Sequence, residues 1–155
     1  GHSERRHIFG EADEETGKKV AAATRAGLTP IVCVGETLAQ REAGETEQVV
    51  LRQLRAALAG VKSADAGNAI VAYEPVWAIG TGKTATPADA NAVHQAIRAE
   101  LHALLDSGSL AVPILYGGSV NRGNAADLLA VPDVDGLLVG GASLDAEGWA
   151  SIVLT

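Results

Sequence analysis

The chain has 155 residues, 47% of them hydrophobic, one cysteine and a formal net charge of −7. That is enough apolar material for one domain with its own core, and the acidic balance disfavours nonspecific binding to nucleic acid or to an anionic membrane surface. No apolar run approaches the roughly 20 residues of a membrane span, and the polar opening Gly1-His2-Ser3-Glu4-Arg5-Arg6 does not read as a signal peptide.

Residues 1–11 carry charge without helical or strand period and read as a loop that has lost the strand feeding it, so an N-terminal portion is expected to precede them. Glu11 to Ala26 reads as a helix with Val20, Ala21 and Thr24 inward and Gly27 as its stop. Thr29 to Val34 is an almost wholly apolar strand, as in a parallel sheet covered on both faces. Within it Cys33 reads as a small core residue: a lone thiol makes neither an internal disulfide nor a metal cluster, which suits a reducing, cytoplasmic compartment. Gly35-Glu36-Thr37 follows, then a helix over 46–59 with Val49, Val50, Leu54 and Leu58 on one side, then a polar connection from Lys62 to Asn68.

The stretch 72–86 organises the rest. The strand Ile70 to Tyr73 delivers one carboxylate, Glu74, and Pro75 ends the pairing at once. Ala78-Ile79-Gly80-Thr81-Gly82 is small enough to let backbone approach a ligand. Thr86-Pro87-Ala88-Asp89 then opens a helix, with Thr86 as N-cap and Asp89 reaching back. An acid at a strand end before a glycine loop has two readings, a loop cap or a catalytic base beneath a mobile lid.

Helix 87–106 carries an apolar stripe of Val93, Ile97, Leu101, Leu104 and Leu105, ended by Ser107-Gly108-Ser109, and its His94 and His102 read as surface residues. Val112 to Tyr116 is a third strand, followed by Gly117-Gly118-Ser119 and a short helix from Asn124 to Ala130. Asp135 to Val139 is a fourth strand, followed by Gly140-Gly141-Ala142-Ser143 and a last helix from Asp145 to Val153. Regular β–α alternation predicts a parallel sheet covered by helices, as a barrel or as a doubly wound sheet. The two glycine turns on successive strand ends read either as tight left-handed turns or as a phosphate site made of backbone N–H groups. The four histidines show no metal-ligand spacing. No second carboxylate stands beside Glu74 as a glycosidase would need, whereas an imidazole such as His2 could polarise a carbonyl while Glu74 moves a proton.

GHSERR at 1–6, PIVCVGE at 30–36, AYEPVWAIGTGK at 72–83, YGGSV at 116–120 and DGLLVGGASL at 135–144 together closely resemble triosephosphate isomerase. The resemblance implies a TIM (β/α)8 barrel, here incomplete, with about four parallel strands and their helices, corresponding to about the C-terminal three-fifths of one barrel domain (strands 5–8 and the loop after strand 4). It implies interconversion of dihydroxyacetone phosphate and D-glyceraldehyde 3-phosphate through an enediolate, without a cofactor. Glu74 resembles the base and His2 the neutral electrophile, a pairing for which this enzyme is itself the standard illustration. Glu4 resembles an acid beside the site, and Gly80, Ser119, Gly140 and Gly141 resemble phosphate amide donors. Glu36 and Tyr116 resemble lid partners, Glu36 holding Trp77 and Tyr116 the closed loop. The family's Asn-x-Lys motif after strand 1 and its dimer-interlocking loop have no counterpart in these residues.

Two other readings compete: a different phosphosugar barrel enzyme, against which the EPVWAIGTGK stretch argues, and a non-catalytic, self-assembling part-barrel that keeps phosphate binding. The family is homodimeric. This chain by itself is expected to be inactive, with Ile31, Val34, Ile70, Ala72, Ile114 and Leu138 facing an absent barrel wall. It should therefore self-associate or take up an N-terminal complement.

Overall fold

Four short apolar runs make the sheet: β1 (Ile31–Val34), β2 (Ile70–Tyr73), β3 (Ile114–Tyr116) and β4 (Gly136–Leu137). All pairings are parallel and the order is β1-β2-β3-β4. The computed structural model describes residues 1–79, 83–105 and 112–155, with backbone alone at Ser63 and Ala64. Gly80, Thr81 and Gly82, and the expected helix stop at Ser107-Gly108-Ser109, lie outside the described residues.

Each strand lies beside the next in the sequence, with no reversal of order. That excludes the switch point of a doubly wound sheet and leaves the arrangement of an incomplete (β/α)8 barrel. The helices are α1 (Ser3–His7), α2 (Asp13–Arg25), α3 (Leu38–Glu42), α4 (Thr46–Leu58), α5 (Ser63–Ala66), α6 (Pro87–Leu105), α7 (Ala125–Leu129) and α8 (Ala146–Val153). No helix among the described residues is long and apolar enough to cross a membrane.

The register decides which side chains meet the helices. Val32, Val34, Val71, Tyr73, Ile114 and Tyr116 share one face, where they form one core with Val50, Leu54 and Ala57 of α4 and Val93, Ile97 and Leu101 of α6. The other face carries Ile31, Cys33, Ile70, Ala72, Leu115 and Leu138. This corrects the expected inward set: Val34 and Ile114 belong to the helix-covered face, because alternation along paired strands puts them level with Tyr73 and Val71. The opposite face is only partly covered, with Ile31 49% exposed while Cys33 and Ala72 are buried.

Three helices were absent from the sequence reading. Ser3–His7 forms because the His2 side chain accepts the Glu4 N–H and so caps it. Leu38–Glu42 starts on a reciprocal cap, the Gln40 side chain accepting the Thr37 N–H (2.9 Å) and Thr37 Oγ1 accepting the Gln40 N–H (3.4 Å). Ser63–Ala66 adds one turn to the polar connection. Helix α2 begins at Asp13 rather than Glu11, because Glu11 is buried outside it. The expected stop at Gly27 holds, with φ +73. At the start of α6, Thr86 and Asp89 cap each other as expected: Asp89 N–H donates to Thr86 Oγ1 (3.1 Å) and the Thr86 hydroxyl to Asp89 Oδ2 (2.7 Å).

The reading of His94 as a surface residue is wrong. It is 0% exposed, its ring edge-on to Tyr73 with centroids 5.9 Å apart and its Nδ1 2.8 Å from the Asp133 carbonyl. At 94 the stripe is wider than the aliphatic positions suggested, because α7 and the turn before β4 close over that side. His102 is exposed. Leu104, counted in the stripe, lies 36% exposed.

Candidate active site

The site is built where strands end together. Beyond the Val34–Tyr73 pair, the Glu74 N–H donates to the Val34 carbonyl (2.7 Å), and the Gly117 N–H donates to the Tyr73 carbonyl (2.8 Å). Glu74 is held on a rigid strand end and buried, 3% exposed. Two glycines make room for it. A Cβ on Gly35 would lie 1.7 Å from the Glu74 carbonyl oxygen, and one on Gly117 would lie 3.0 Å from its Cγ. Gln53 of α4 secures Gly35 from behind: its Oε1 accepts the Gly35 N–H (2.7 Å) and its Nε2 donates to the Gly35 carbonyl (3.1 Å).

Helix α1 brings the second group. His2 Nε2 lies 3.0 Å from Glu74 Oε1, and the Ser3 N–H donates to Glu74 Oε2 (3.1 Å). His2 Nδ1 accepts the Glu4 N–H (3.3 Å), which assigns the ring proton to Nε2 and makes the imidazole a neutral donor toward Glu74. Glu4 itself is exposed, and its backbone rather than its carboxylate reaches His2.

Arg6 pins α1 to the end of β1, donating to the carbonyls of Gly1 (2.7 Å) and Cys33 (3.2 Å) and pairing with Asp13 (2.5 Å). Beneath it the buried Glu11 gathers Arg5 (3.1 Å), Lys19 and the Thr16 hydroxyl (3.1 Å). Burial opposes that charge, yet Lys19 and Arg5 hold the carboxyl well below the usual range.

Burial pushes the Glu74 carboxyl above its ordinary value, against the pull of His2, the Cys33 thiol and the Ser3 amide. A buried carboxyl moved toward neutrality has the property a general base needs. Burial, with the Glu74 charge beside it, raises the Cys33 thiol to about 12, so Cys33 is not a thiolate, in keeping with a core residue.

His2 and Glu74 open into a cavity of about 400 Å³, shared with Ile79, Ser119, Gly140 and Gly141. That volume suits a small ligand. Neither glycine turn is left-handed: the glycines of positive φ among the described residues are Gly10, Gly27 and Gly44. Gly118 is small for another reason, since a Cβ there would lie 2.2 Å from the Tyr116 hydroxyl. A Cβ on Gly140 or Gly141 would meet nothing within 4 Å, so their backbone borders open space. Ser119 is engaged in this structure: its N–H (3.1 Å) and its hydroxyl both donate to the Ala78 carbonyl. Among the described residues no group of three His, Cys, Asp or Glu side chains is set to hold a metal ion.

The remaining residues singled out from the sequence lie just behind. Glu36 is fully buried and accepts from Trp77 Nε1 (2.9 Å) and the Tyr73 hydroxyl (3.1 Å to each oxygen). Burial, with the Glu36 charge added, pushes the Tyr73 hydroxyl far above its usual range, so it stays a donor. The Tyr116 hydroxyl accepts the Ala85 N–H (3.2 Å). Gly80 lies outside the described residues. Sequence reasoning missed Gln53 and the steric demand at Gly35. A glutamine among the apolar positions of helix 46–59 was the available signal for the first.

The family model described as Triosephosphate isomerase matches residues 1–155. The chain is 59% identical over 154 residues to a triosephosphate isomerase of Roseiflexus castenholzii, covering 99% of this chain and 61% of that protein. It is 58% identical over 153 residues to one of Moorella thermoacetica (99% and 61%) and 55% identical over 152 residues to one of Pseudomonas entomophila (98% and 61%). The chain thus spans about three-fifths of the length of the curated relatives it matches. With that extent of match, the chain belongs to the triosephosphate isomerase family.

Proposed function

We propose that these residues serve the isomerisation of a triose phosphate, dihydroxyacetone phosphate to D-glyceraldehyde 3-phosphate and back, within a barrel of which this chain is the C-terminal part, strands 5–8 and the loop after strand 4. The observation that carries the reading is the 3.0 Å approach of His2 Nε2 to Glu74 Oε1 in a cavity bordered by both glycine turns. Glu74 removes a proton from the carbon beside the substrate carbonyl and returns it to the neighbouring carbon. The neutral His2 Nε2–H, turned to the substrate oxygens, stabilises the enediolate without protonating it outright. The amides of Gly140, Gly141 and Ser119 take the phosphate. Ser119 must first leave the Ala78 carbonyl, so phosphate binding and the turn after Glu74 are linked.

Glu36 anchors Trp77, and Tyr116 anchors Ala85, on either side of the stretch read as a lid. Such anchoring shields an enediolate that would otherwise expel phosphate. Glu4 contributes its amide to the His2 tautomer. The assembly is a cytoplasmic homodimer. β1 and β4 are sheet edges, and the face with Ile31, Ile70 and Leu138 is incompletely covered, so this chain alone self-associates or awaits its complement.

The test is to assay the purified 155-residue chain, then add a polypeptide supplying the missing strands with Asn-x-Lys. Isomerase activity that appears on complementation and vanishes in Glu74→Gln supports the reading. No activity in any combination, with phosphate still bound, would favour the non-catalytic part-barrel.

A further inference from the structure

We propose that Arg41 is a positioning residue of this site: its guanidinium clamps the Trp77 ring beside Glu36 while holding Asp89, and so ties the turn that leaves Glu74 to the start of α6. The proposal takes the functional reading above for what the site does, but the clamp itself stands without it.

Trp77 belongs to a 3-10 turn, Val76–Ala78, that begins two residues after Glu74. The Glu36 backbone carbonyl accepts the Val76 N–H (3.0 Å), and its carboxylate accepts Trp77 Nε1 (2.9 Å). Arg41, on α3, lies across the same indole, with Cζ 4.7 Å from the ring centroid. One terminal nitrogen reaches Glu36 Oε1 at 3.7 Å, and the other pairs with Asp89 Oδ1 at 2.7 Å. The second oxygen of Asp89 is the one that caps Thr86, so the ion pair bears on the helix start itself.

A single planar cation therefore does three things in one place. It stacks on the ring, it faces the fully buried Glu36 charge, and it fixes the acid of an N-cap. A guanidinium can do all three because it offers a π-face and a fork of donors at once; an ammonium cannot. The consequence runs toward the chemistry. The last residue of the clamped turn is Ala78, whose carbonyl holds both the N–H and the hydroxyl of Ser119. Arg41 touches none of the cavity residues, so its effect is on where Glu74, Ala78 and Ser119 stand.

Trp77 and Trp149 are the two tryptophans, and Trp149 lies on α8, away from the cavity lining. In a Trp149→Phe background the fluorescence of Trp77 reports the clamp directly. Arg41→Met, which keeps the aliphatic stem, should raise acrylamide quenching of Trp77 severalfold, up to roughly fivefold, the factor that a cation–π contact at a partly exposed site is worth. Arg41→Lys should restore less than half of the change, because the stack and the fork are lost although the charge remains. Unchanged quenching in Arg41→Met, or full rescue by Lys, would overturn the proposal, the second by reducing Arg41 to a surface charge partner of Asp89.

In the complemented chain Arg41→Met should lower kcat about tenfold and raise KM as well, as expected when the catalytic base and the Ser119 phosphate donor are displaced together. Unchanged kcat beside increased quenching would also overturn it, by separating the clamp from the chemistry. If the complemented chain with Arg41 intact shows no isomerase activity, the functional reading fails, and the quenching comparison still decides whether Arg41 holds Trp77.

Discussion

Replacing Gly35 by alanine tests the idea that Glu74 is placed by strand-end packing. The added Cβ would sit 1.7 Å from the Glu74 carbonyl oxygen, 2.6 Å from its carbonyl carbon and 3.4 Å from its Cα, all backbone that cannot swing aside. Ordinary contact begins at 3.4 Å, so the ends of β1 and β2 must part by about 1.7 Å. That takes the Glu74 N–H, now 2.7 Å from the Val34 carbonyl, out of hydrogen-bond reach, and it pulls Gly35 away from both its bonds to the buried Gln53. Three hydrogen bonds are lost, each worth a net of roughly 0.5–1.5 kcal/mol, so the sum is roughly 2–4 kcal/mol, a large share of a domain's stability. Urea unfolding of the 155-residue chain, followed by circular dichroism, measures it. Gly60→Ala is the control, because its Cβ would meet only the Ala21 Cβ at 3.6 Å, and it should change stability by no more than about 0.5 kcal/mol. A loss below about 1 kcal/mol in Gly35→Ala would refute the argument, since it would mean the strand ends part without cost.

Gln53→Leu keeps the volume but leaves the Gly35 N–H and carbonyl unpaired, and should lose roughly 2–4 kcal/mol in the same urea assay. Glu74→Asp in the complemented chain should lower kcat about 100-fold with little change in KM, because retracting the carboxylate spoils proton-transfer geometry and leaves the phosphate amides alone; steady-state kinetics decide it. Burial lowers the pKa of His94 from its ordinary 6.5, so below that value the unfolded chain binds more protons than the folded one. Stability should be level above about pH 7 and fall as pH drops through about 6. Urea midpoints between about pH 7.5 and 5.5 should fall less in His94→Phe, and equal slopes would remove His94 as the cause.

The β–α alternation, the acid at the end of the second strand and the two glycine turns were legible in the sequence because each rests on local chemistry. Apolar runs of four or five residues pair as buried strands, proline ends pairing, and Thr86-Pro87-Ala88-Asp89 caps a helix wherever it stands. The motifs at 1–6, 72–83, 116–120 and 135–144 carried the family in the same way, as strings of residues. What local pattern does not contain is which strand lies beside which. Only the order β1-β2-β3-β4 separated a part-barrel from a doubly wound sheet, and only the register placed Val34 and Ile114 on the helix side.

Contacts between residues far apart in the chain were closed to sequence reading for the same reason. Gly35 looked like any glycine after a strand until Glu74 lay against it. Gln53 looked like a helix polar residue until its amide met the Gly35 backbone. His94 looked exposed because its helix shows a stripe and not what covers it; Tyr73 and the Asp133 carbonyl, brought in by the strands on either side, bury it. Periodicity along one element is set by that element's own geometry, whereas burial and hydrogen-bond partners are set by neighbours that only the tertiary fold supplies.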